Sequence, residues 1–355
     1  MPPAAQPPAA RNNVDPNNEQ LDVIVFTTTF FKSPSDLRCR VALSTLRSLA
    51  RLNIPAVVID ASPLDSGVIE SLQSVSNMHV VKHQSVEGGK GAALREALST
   101  ANTVFRGRVT GDTWLAFQEP EKANMAPHWH RIFRSPNSAV KKETGVVVPQ
   151  RADASFQRTY PIEQYHSELF GNMFLDSVAR KSLIASSSSQ QLPPSIDWLF
   201  GPFALRNRHS NLWLNYDGMT YDAQIVPLIR AMRLGNVGVQ SIPIDFEASK
   251  DMKAMEEGNG EFIEKRFHQL FIWEGLVHNA WTENFDVSSS PSLRSGVGAA
   301  AGDYFTSLNT ASVGDPLSNQ MLGMMVIIMI GITCFFFNSS RGKFFHALNT
   351  HRRTE

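Results

Sequence analysis

Two glutamates stand one residue apart at the end of a short apolar run. The run covers residues 114–117, and Gln-Glu-Pro-Glu follows it at 118–121. If Glu119 and Glu121 both point into one crevice, they can bind Mg²⁺ or Mn²⁺, which in turn can bridge phosphate oxygens. On spacing alone, a solvated loop in which the acids pair with neighbouring lysines is an equal alternative. Those lysines are Lys122, Lys141 and Lys142.

A second group of residues with chemical potential is Glu-Gly-Gly-Lys-Gly at 87–91, which opens an amphipathic helical pattern. Backbone amides at a helix start, beside Lys90, attract phosphate through hydrogen bonds and the helix dipole. The segment is neither a P-loop nor a Gly-x-Gly-x-x-Gly fingerprint. A turn that only lets the helix pack on a sheet explains the same residues. Together with the glutamates, the segment suggests a site for a phosphorylated, sugar-like ligand.

Strand-like and helix-like segments alternate along the chain and would position these residues. We predict helices after Ser33, which we take as an N-cap, after Lys90, from Asp222, and over 261–280. The alternation predicts an α/β fold with a mostly parallel sheet, and ligands bind outside the carboxyl ends of such strands. The predicted strands are 21–28, 54–60, 78–82, 113–118, 145–149 and 237–246.

Composition excludes several classes of protein. Of 355 residues, 33 are Lys or Arg and 33 are Asp or Glu, so no net charge attracts nucleic acid. The two cysteines, Cys39 and Cys334, are too few for a disulfide framework or a cysteine zinc site. A hydrophobic fraction of 42% indicates a substantial globular core.

The two ends of the chain differ from its middle. Residues 1–20 lack a signal-peptide pattern and predict a disordered leader, whereas 283–320 predict a flexible linker. Residues 321–337 carry no charge over the shortest length that spans a bilayer, so we predict a single-pass transmembrane helix, with a buried core helix as the alternative. A short basic tail at 338–355 follows.

The orientation of this membrane segment rests on two conflicting signals. A span near the carboxyl terminus without a signal peptide leaves the large domain in the cytosol, but basic tails also prefer the cytosolic side. We expect a cytosolic domain.

The order of an Asp60-terminated strand, a Gly-Lys-Gly helix and an apolar strand with an acid-x-acid end resembles the nucleotide-diphospho-sugar transferases of the GT-A fold. The resemblance is to family-2-like glycosyltransferases, especially the glucosyl- and mannosyl-phosphoglycerate synthase type, and covers roughly residues 20–282. It implies a GT-A-like (Rossmann-type) sheet, a nucleotide-sugar donor, a hydroxyl acceptor and a divalent cation.

The resemblance also implies roles for individual residues. The acids Glu119 and Glu121 stand at the metal motif, with Glu247 as a further candidate ligand. The donor-binding residues would be Thr27, Thr28, Thr29 and Asp60 at the nucleoside, and Lys90, Gly91, Arg95 and Gln118 near the diphosphate. On the acceptor side stand Arg151, Gly201, Pro202 and Tyr216.

The chain departs from the family pattern at the metal motif. Glutamates replace the usual aspartates, and Glu247 stands in the segment after Phe246 where related enzymes often offer a histidine. Lys122 or Arg151 could therefore neutralise the diphosphate as fixed cations in place of a metal.

Asp222 is the candidate catalytic acid. It would meet the acceptor hydroxyl, by deprotonation in an inverting enzyme or by hydrogen bonding in a retaining one. A role as the N-cap of the helix that follows is the alternative. His128 and His130, which flank Trp129, have no third candidate ligand nearby; such pairs usually lie on a loop surface, and we assign them no role.

These patterns favour a membrane-tethered GT-A-like glycosyltransferase. Three alternatives remain: a nucleotidyltransferase on a related sheet, a sugar-nucleotide-binding protein without turnover, and a tail-anchored scaffold.

Overall fold

The computed structural model describes residues 20–84, 89–185 and 195–283. Within these residues, one sheet of seven strands is flanked by helices. The strands are β1 (Val23–Thr29), β2 (Ala56–Asp60), β3 (Met78–Lys82), β4 (Trp114–Phe117), β5 (Thr144–Arg151), β6 (Phe203–Arg206) and β7 (Gly238–Ile244). The helices are α1 (Leu37–Arg51), α2 (Val68–Gln73), α3 (Lys90–Val104), α4 (Ala126–Arg134), α5 (Asp153–Thr159), α6 (Ile162–Ala185), α7 (Asn211–Leu214), α8 (Asp222–Arg233), α9 (Lys250–Glu256) and α10 (Gly260–Thr282).

The strand order creates a crevice at the carboxyl ends of the central strands. The order is β3-β2-β1-β4-β6-β5-β7, and all neighbours are parallel except β6, which is antiparallel to both β4 and β5. The chain runs outward from β1 through β2 to β3 and then returns to the other side of β1 with β4. This reversal is a topological switch point, where open α/β sheets bind ligands beyond the carboxyl ends of their strands.

The central strands are buried on both faces because helices cover both. Every residue of β2 and β4 is buried, while β3, at the sheet edge, is only partly buried. One apolar core includes Phe26, Leu94 and Ile229, and a second, on the other face, includes Val25, Leu46 and Trp129. Two apolar layers around one sheet are the arrangement of a helix-sheet-helix domain.

The predicted α/β class and mostly parallel sheet are confirmed. All six predicted strands form, with bounds shifted by a few residues at most. The prediction of helix α3 is also confirmed, since Leu94, Ala97, Leu98 and Ala101 are all buried.

The sequence prediction missed β6. This strand has only four residues, too few for a periodic signal, and its pairing with β4 and β5 comes from distant parts of the chain. The predicted N-cap Ser33 is also wrong, because the side chain of Asp36 caps α1 by accepting a hydrogen bond from the Arg38 amide. The His128–His130 segment lies in α4 rather than on a loop.

The predicted membrane helix at 321–337 lies outside the described residues. None of the helices within the described ranges combines the length and the apolar character that a membrane span requires.

Candidate active site

The candidate site lies where the carboxyl ends of β1, β2 and β4 meet the start of β6. β1 pairs with β2 on one side and β4 on the other, and β6 begins at Phe203, directly beside the end of β4. The strand geometry therefore brings Thr29, Asp60, Glu119 and Gly201 to one edge of the sheet.

Asp60 forms the centre of a buried polar group at one end of this crevice. Its Oδ1 accepts hydrogen bonds from Thr29 Oγ1 at 2.8 Å and from Ser62 Oγ at 2.6 Å. Its Oδ2 is buried without a hydrogen-bond partner, and the nearest cation is Lys82 Nζ at 3.8 Å. Thr27 Oγ1 is also buried without a partner, whereas Thr28 is only partly buried. Buried polar atoms of this kind are normally satisfied, so Asp60 Oδ2 and Thr27 Oγ1 are two open hydrogen-bonding positions.

Glu119 forms the second polar group, together with two lysines. Its Oε1 lies 2.9 Å from Lys90 Nζ, and its Oε2 lies 3.3 Å from Lys122 Nζ. Gly201 has a φ of +96°, and a Cβ built on it would lie 3.1 Å from the Glu119 carboxylate. The crevice therefore holds two ammonium groups on a single carboxylate.

Neighbouring charges determine the ionisation of Glu119 and Lys122. Burial alone would raise the pKa of the Glu119 carboxyl, but Lys90 and Lys122 outweigh burial and lower that pKa to about 2. Burial would likewise lower the pKa of the Lys122 ammonium, but Tyr160 and Glu119 raise it above its ordinary value. Glu119 is therefore ionised and Lys122 protonated at neutral pH.

The three predicted metal ligands, Glu119, Glu121 and Glu247, each pair with different cations of the protein. Glu121 pairs with Arg38, whose Nε donates to Glu121 Oε1 at 2.8 Å. Glu247 pairs with the exposed Arg158 at 2.6 Å. Over the described ranges, no three His, Cys, Asp or Glu side chains are close enough to hold a metal ion. Since Mg²⁺ and Mn²⁺ take several oxygen ligands, these side chains as arranged do not fit a divalent cation.

Gly91 of the Gly-Lys-Gly segment and Arg95 of the helix that follows pack against a neighbouring loop. The Gly91 amide donates to Met219 O at 2.9 Å, and a Cβ on Gly91 would lie 2.1 Å from Gly218 O. Arg95 Nη1 donates to the carbonyl oxygens of Tyr216 at 2.8 Å and Gly218 at 2.5 Å. The structure therefore places Gly91 and Arg95 against the loop before α8, not toward the crevice as predicted. Lys90 alone projects from this segment to Glu119.

Gln118 is also committed to the protein interior. Its side chain is buried, with Oε1 accepting from Trp129 Nε1 at 2.9 Å and Nε2 donating to Lys122 O at 3.0 Å. Both ends of the amide thus hold the turn that carries Glu119, and the donor contact of Gln118 stays a prediction.

Asp222 does not face the crevice with a free oxygen. Its Oδ1 accepts from Thr220 N at 2.8 Å and Thr220 Oγ1 at 2.7 Å, and its Oδ2 accepts from Tyr216 OH at 2.9 Å. Burial and the neighbouring Asp222 raise the pKa of the Tyr216 hydroxyl, so it remains a donor. Asp222 and Tyr216 thus bond to each other in the loop before α8, and their catalytic and acceptor-side roles stay predictions. The N-cap alternative is wrong too, since Tyr221 occupies that position.

Arg151, predicted on the acceptor side, is a buried cation that pairs with two acids. Its guanidinium bonds to both oxygens of Asp197 at 2.7 Å and to Glu168 Oε2 at 2.6 Å. The ring of Phe156 lies 3.8 Å from its central carbon. Burial by itself would raise the pKa of the Asp197 carboxyl, but Arg151 outweighs burial and lowers it. Arg151 is therefore unavailable to a diphosphate.

The structure adds aromatic side chains that sequence reasoning missed. Lys90 Nζ lies 4.2 Å from the centroid of the Tyr221 ring, and Lys122 Nζ lies 4.7 Å from that of Phe200. Gly201 and Pro202 line a cavity of about 50 Å³ together with Glu119 and Tyr221. Ser62 could have been predicted from the sequence. It stands two residues after Asp60, and short hydroxyl side chains often bond to nearby acids.

Comparison with known proteins returns solved structures but no sequence match. No family model matches the chain, and no curated protein matches it. The glucosyl-3-phosphoglycerate synthase of Mycobacterium tuberculosis is 14% identical, with 76% of this chain and 84% of that one covered and a TM-score of 0.45. Its complex with Mn²⁺, UDP-glucose and phosphoglyceric acid is 16% identical, with 76% and 83% covered and a TM-score of 0.47. These structures are of the enzyme type that the sequence resemblance named. Residue roles do not transfer at such identities.

We expect Gly91→Ala to destabilise the domain by about 1–3 kcal/mol, because the added methyl group meets a backbone oxygen that cannot move aside. Urea denaturation measures the change. Gly275→Ala is the matched control, since a Cβ there meets nothing within 4 Å. Alanine in a helix should stabilise by up to about 1 kcal/mol. Equal stability of the two variants would contradict the close packing of α3.

We expect Arg151→Met to lower the free energy of unfolding by about 3–5 kcal/mol, because it leaves Asp197 and Glu168 buried without their cation. Arg158→Ala removes an exposed ion pair and should cost less than about 1 kcal/mol. A small effect of Arg151→Met, measured by the same urea titration, would show that the buried network does not hold the fold.

Proposed function

We propose that this chain is a glycosyltransferase that moves a sugar from a nucleotide-diphosphate donor to a hydroxyl acceptor. One observation carries the proposal: Asp60, with an unsatisfied buried oxygen, and the lysine pair on Glu119 lie along the same edge of the sheet. β2 and β4 are separated by β1, so their ends are two strand spacings, roughly 10 Å, apart. The ribose of a nucleotide bridges a gap of this order between base and diphosphate.

The Asp60 end suits the nucleoside. A buried carboxylate oxygen without a donor is unfavourable, and the N–H of a base or the O–H of a ribose would satisfy it. Thr27 Oγ1 offers a second buried polar atom on the neighbouring strand. The pairing with Thr29 and Ser62 fixes the carboxylate in place before a ligand arrives.

The Glu119 end suits the diphosphate. Two ammonium groups and one carboxylate leave a net positive charge at the edge of the crevice. Positive charge held in a partly buried site stabilises the negative charge that develops on a departing nucleoside diphosphate. The acceptor would approach from the side of Gly201 and Pro202, which line the cavity next to Glu119.

A sugar-nucleotide-binding protein without turnover is the second candidate. The observation that favours it is the engagement of Asp222, whose two oxygens accept three hydrogen bonds within its own loop. An acid so engaged is a poor base for an acceptor hydroxyl.

Nucleotide binding is the first expected result. UDP, GDP or one of their sugars should raise the melting temperature, since a ligand at a hundred times its dissociation constant stabilises by about 2.7 kcal/mol. If no nucleotide or nucleotide sugar raised the melting temperature, the proposal would be wrong. Slow release of nucleoside diphosphate with an acceptor distinguishes transfer from binding alone, and pyrophosphate release from a nucleoside triphosphate would indicate a nucleotidyltransferase.

Asp60→Asn tests the nucleoside end directly. The variant places an amide N–H where Oδ2 stood, so two hydrogen-bond donors, one from the protein and one from the nucleotide, would oppose each other. The affinity for the nucleotide should fall by at least about tenfold. Asp65→Asn, on an exposed position of the next turn, is the matched control and should leave affinity unchanged. Isothermal titration calorimetry measures both. Equal affinities would remove Asp60 from the nucleotide site.

We also propose that residues 321–337 anchor the protein in a membrane with the large domain in the cytosol. Sequence alone supports this part of the proposal. Removal of residues 318–355 should move the protein from the membrane pellet to the supernatant after ultracentrifugation. Continued pelleting of the shortened chain would contradict the anchor, and protection of the large domain from added protease in sealed vesicles would contradict its cytosolic side.

A further inference from the structure

Both oxygens of Glu119 are already engaged by cations of the protein. A divalent ion at this carboxylate would have to displace Lys90, at 2.9 Å, and Lys122, at 3.3 Å. For Glu121 to serve as a second ligand, its carboxylate would have to leave Arg38. The acid pair that resembles a metal motif is therefore arranged around lysines.

The two lysines are held in place from a second side as well. Lys90 Nζ lies 4.2 Å from the Tyr221 ring centroid and 5.6 Å from that of Phe117. Lys122 Nζ lies 4.7 Å from the Phe200 centroid. An ammonium within about 6 Å of an aromatic face is attracted to it, so each lysine sits between a carboxylate oxygen and a ring. Such cations need little rearrangement to meet an anion.

The charge of this group suits a diphosphate. A divalent cation held by two carboxylates has no net charge, whereas Lys90, Lys122 and Glu119 together keep one positive charge. Each ammonium has three N–H donors, so it can hold Glu119 and donate to a phosphate oxygen at once. Hydrogen bonds between ammonium groups and phosphate are among the stronger ones in proteins.

We propose that Lys90 and Lys122, positioned by Glu119, neutralise the donor diphosphate in place of a divalent cation. This inference rests on the proposed function. In the transfer, the bond between the anomeric carbon and the β-phosphate oxygen breaks and a bond to the acceptor oxygen forms. The nucleoside diphosphate leaves with the bonding electron pair on its terminal oxygen, between the two ammonium groups, and the acceptor's proton is released to solvent.

Metal dependence of nucleotide binding tests the inference. UDP and GDP are titrated into the full chain by calorimetry, once with Mn²⁺ and once with excess EDTA. We expect the dissociation constant of the nucleotide that binds to agree within about threefold between the two conditions. Binding that appears only with Mn²⁺ overturns this inference and leaves the proposed function standing. Failure of every nucleotide in both conditions overturns both.

Charge variants identify the groups responsible. In EDTA, Lys90→Met and Lys122→Met should each weaken UDP or GDP binding at least about tenfold, and the matching nucleoside should lose less than threefold. Lys90→Arg and Lys122→Arg keep the positive charge and should retain most of the affinity, whereas the difference between diphosphate and nucleoside in the Met variants separates a phosphate contact from a purely structural role. Lys142→Met, on an exposed loop, is the control and should bind as the native chain does. Full diphosphate affinity in both Met variants would overturn the inference.

Glu119→Gln separates a lysine site from a metal site. Glutamine keeps an oxygen that accepts a hydrogen bond from a lysine but removes the negative charge beside the diphosphate, so we expect affinity in EDTA to be retained or increased. A tenfold or larger loss that appears only when Mn²⁺ is present would identify Glu119 as a metal ligand and overturn the inference.

Discussion

The contact of one carboxylate with two lysines organises the crevice. Lys90 begins α3 and Lys122 follows β4, yet both meet at Glu119, so these segments are fixed relative to each other. Gly201 completes the arrangement, because the carboxylate occupies the space that a side chain there would need. Ion pairs in a partly buried site are stronger than at an open surface, and their geometry is correspondingly better defined.

A second ion network, which is buried, joins β5 and α6 to the segment that leads into β6. Arg151 at the end of β5 holds Asp197, which precedes β6, and Glu168 in α6. Burial of charges is costly, and the attraction between them offsets that cost without adding much net stability. We therefore interpret the network as fixing the path of the chain into Gly201 and β6, which determines where the crevice ends.

The loop before α8 is held by residues of the segment that was predicted to bind phosphate. Gly91 and Arg95 belong to a segment whose letters suggest phosphate binding, but the close approach of α3 to Met219 uses the glycine amide and the guanidinium instead. This packing has a second consequence. It fixes the loop that carries Tyr221, whose ring supports Lys90.

The sequence by itself determined the sheet and the edge that carries the site. Runs of β-branched and apolar residues define six of the seven strands, and polar residues at the carboxyl ends of the central strands, such as Asp60 and Glu119, mark the crevice. These features are local, because strand periodicity and chain direction suffice to predict them. Only the tertiary structure decided which partner each of these polar groups takes. Asp222 and Arg151 bond inward, while Lys122 joins Lys90 on Glu119, since a charged side chain takes the partner that distant segments bring within reach.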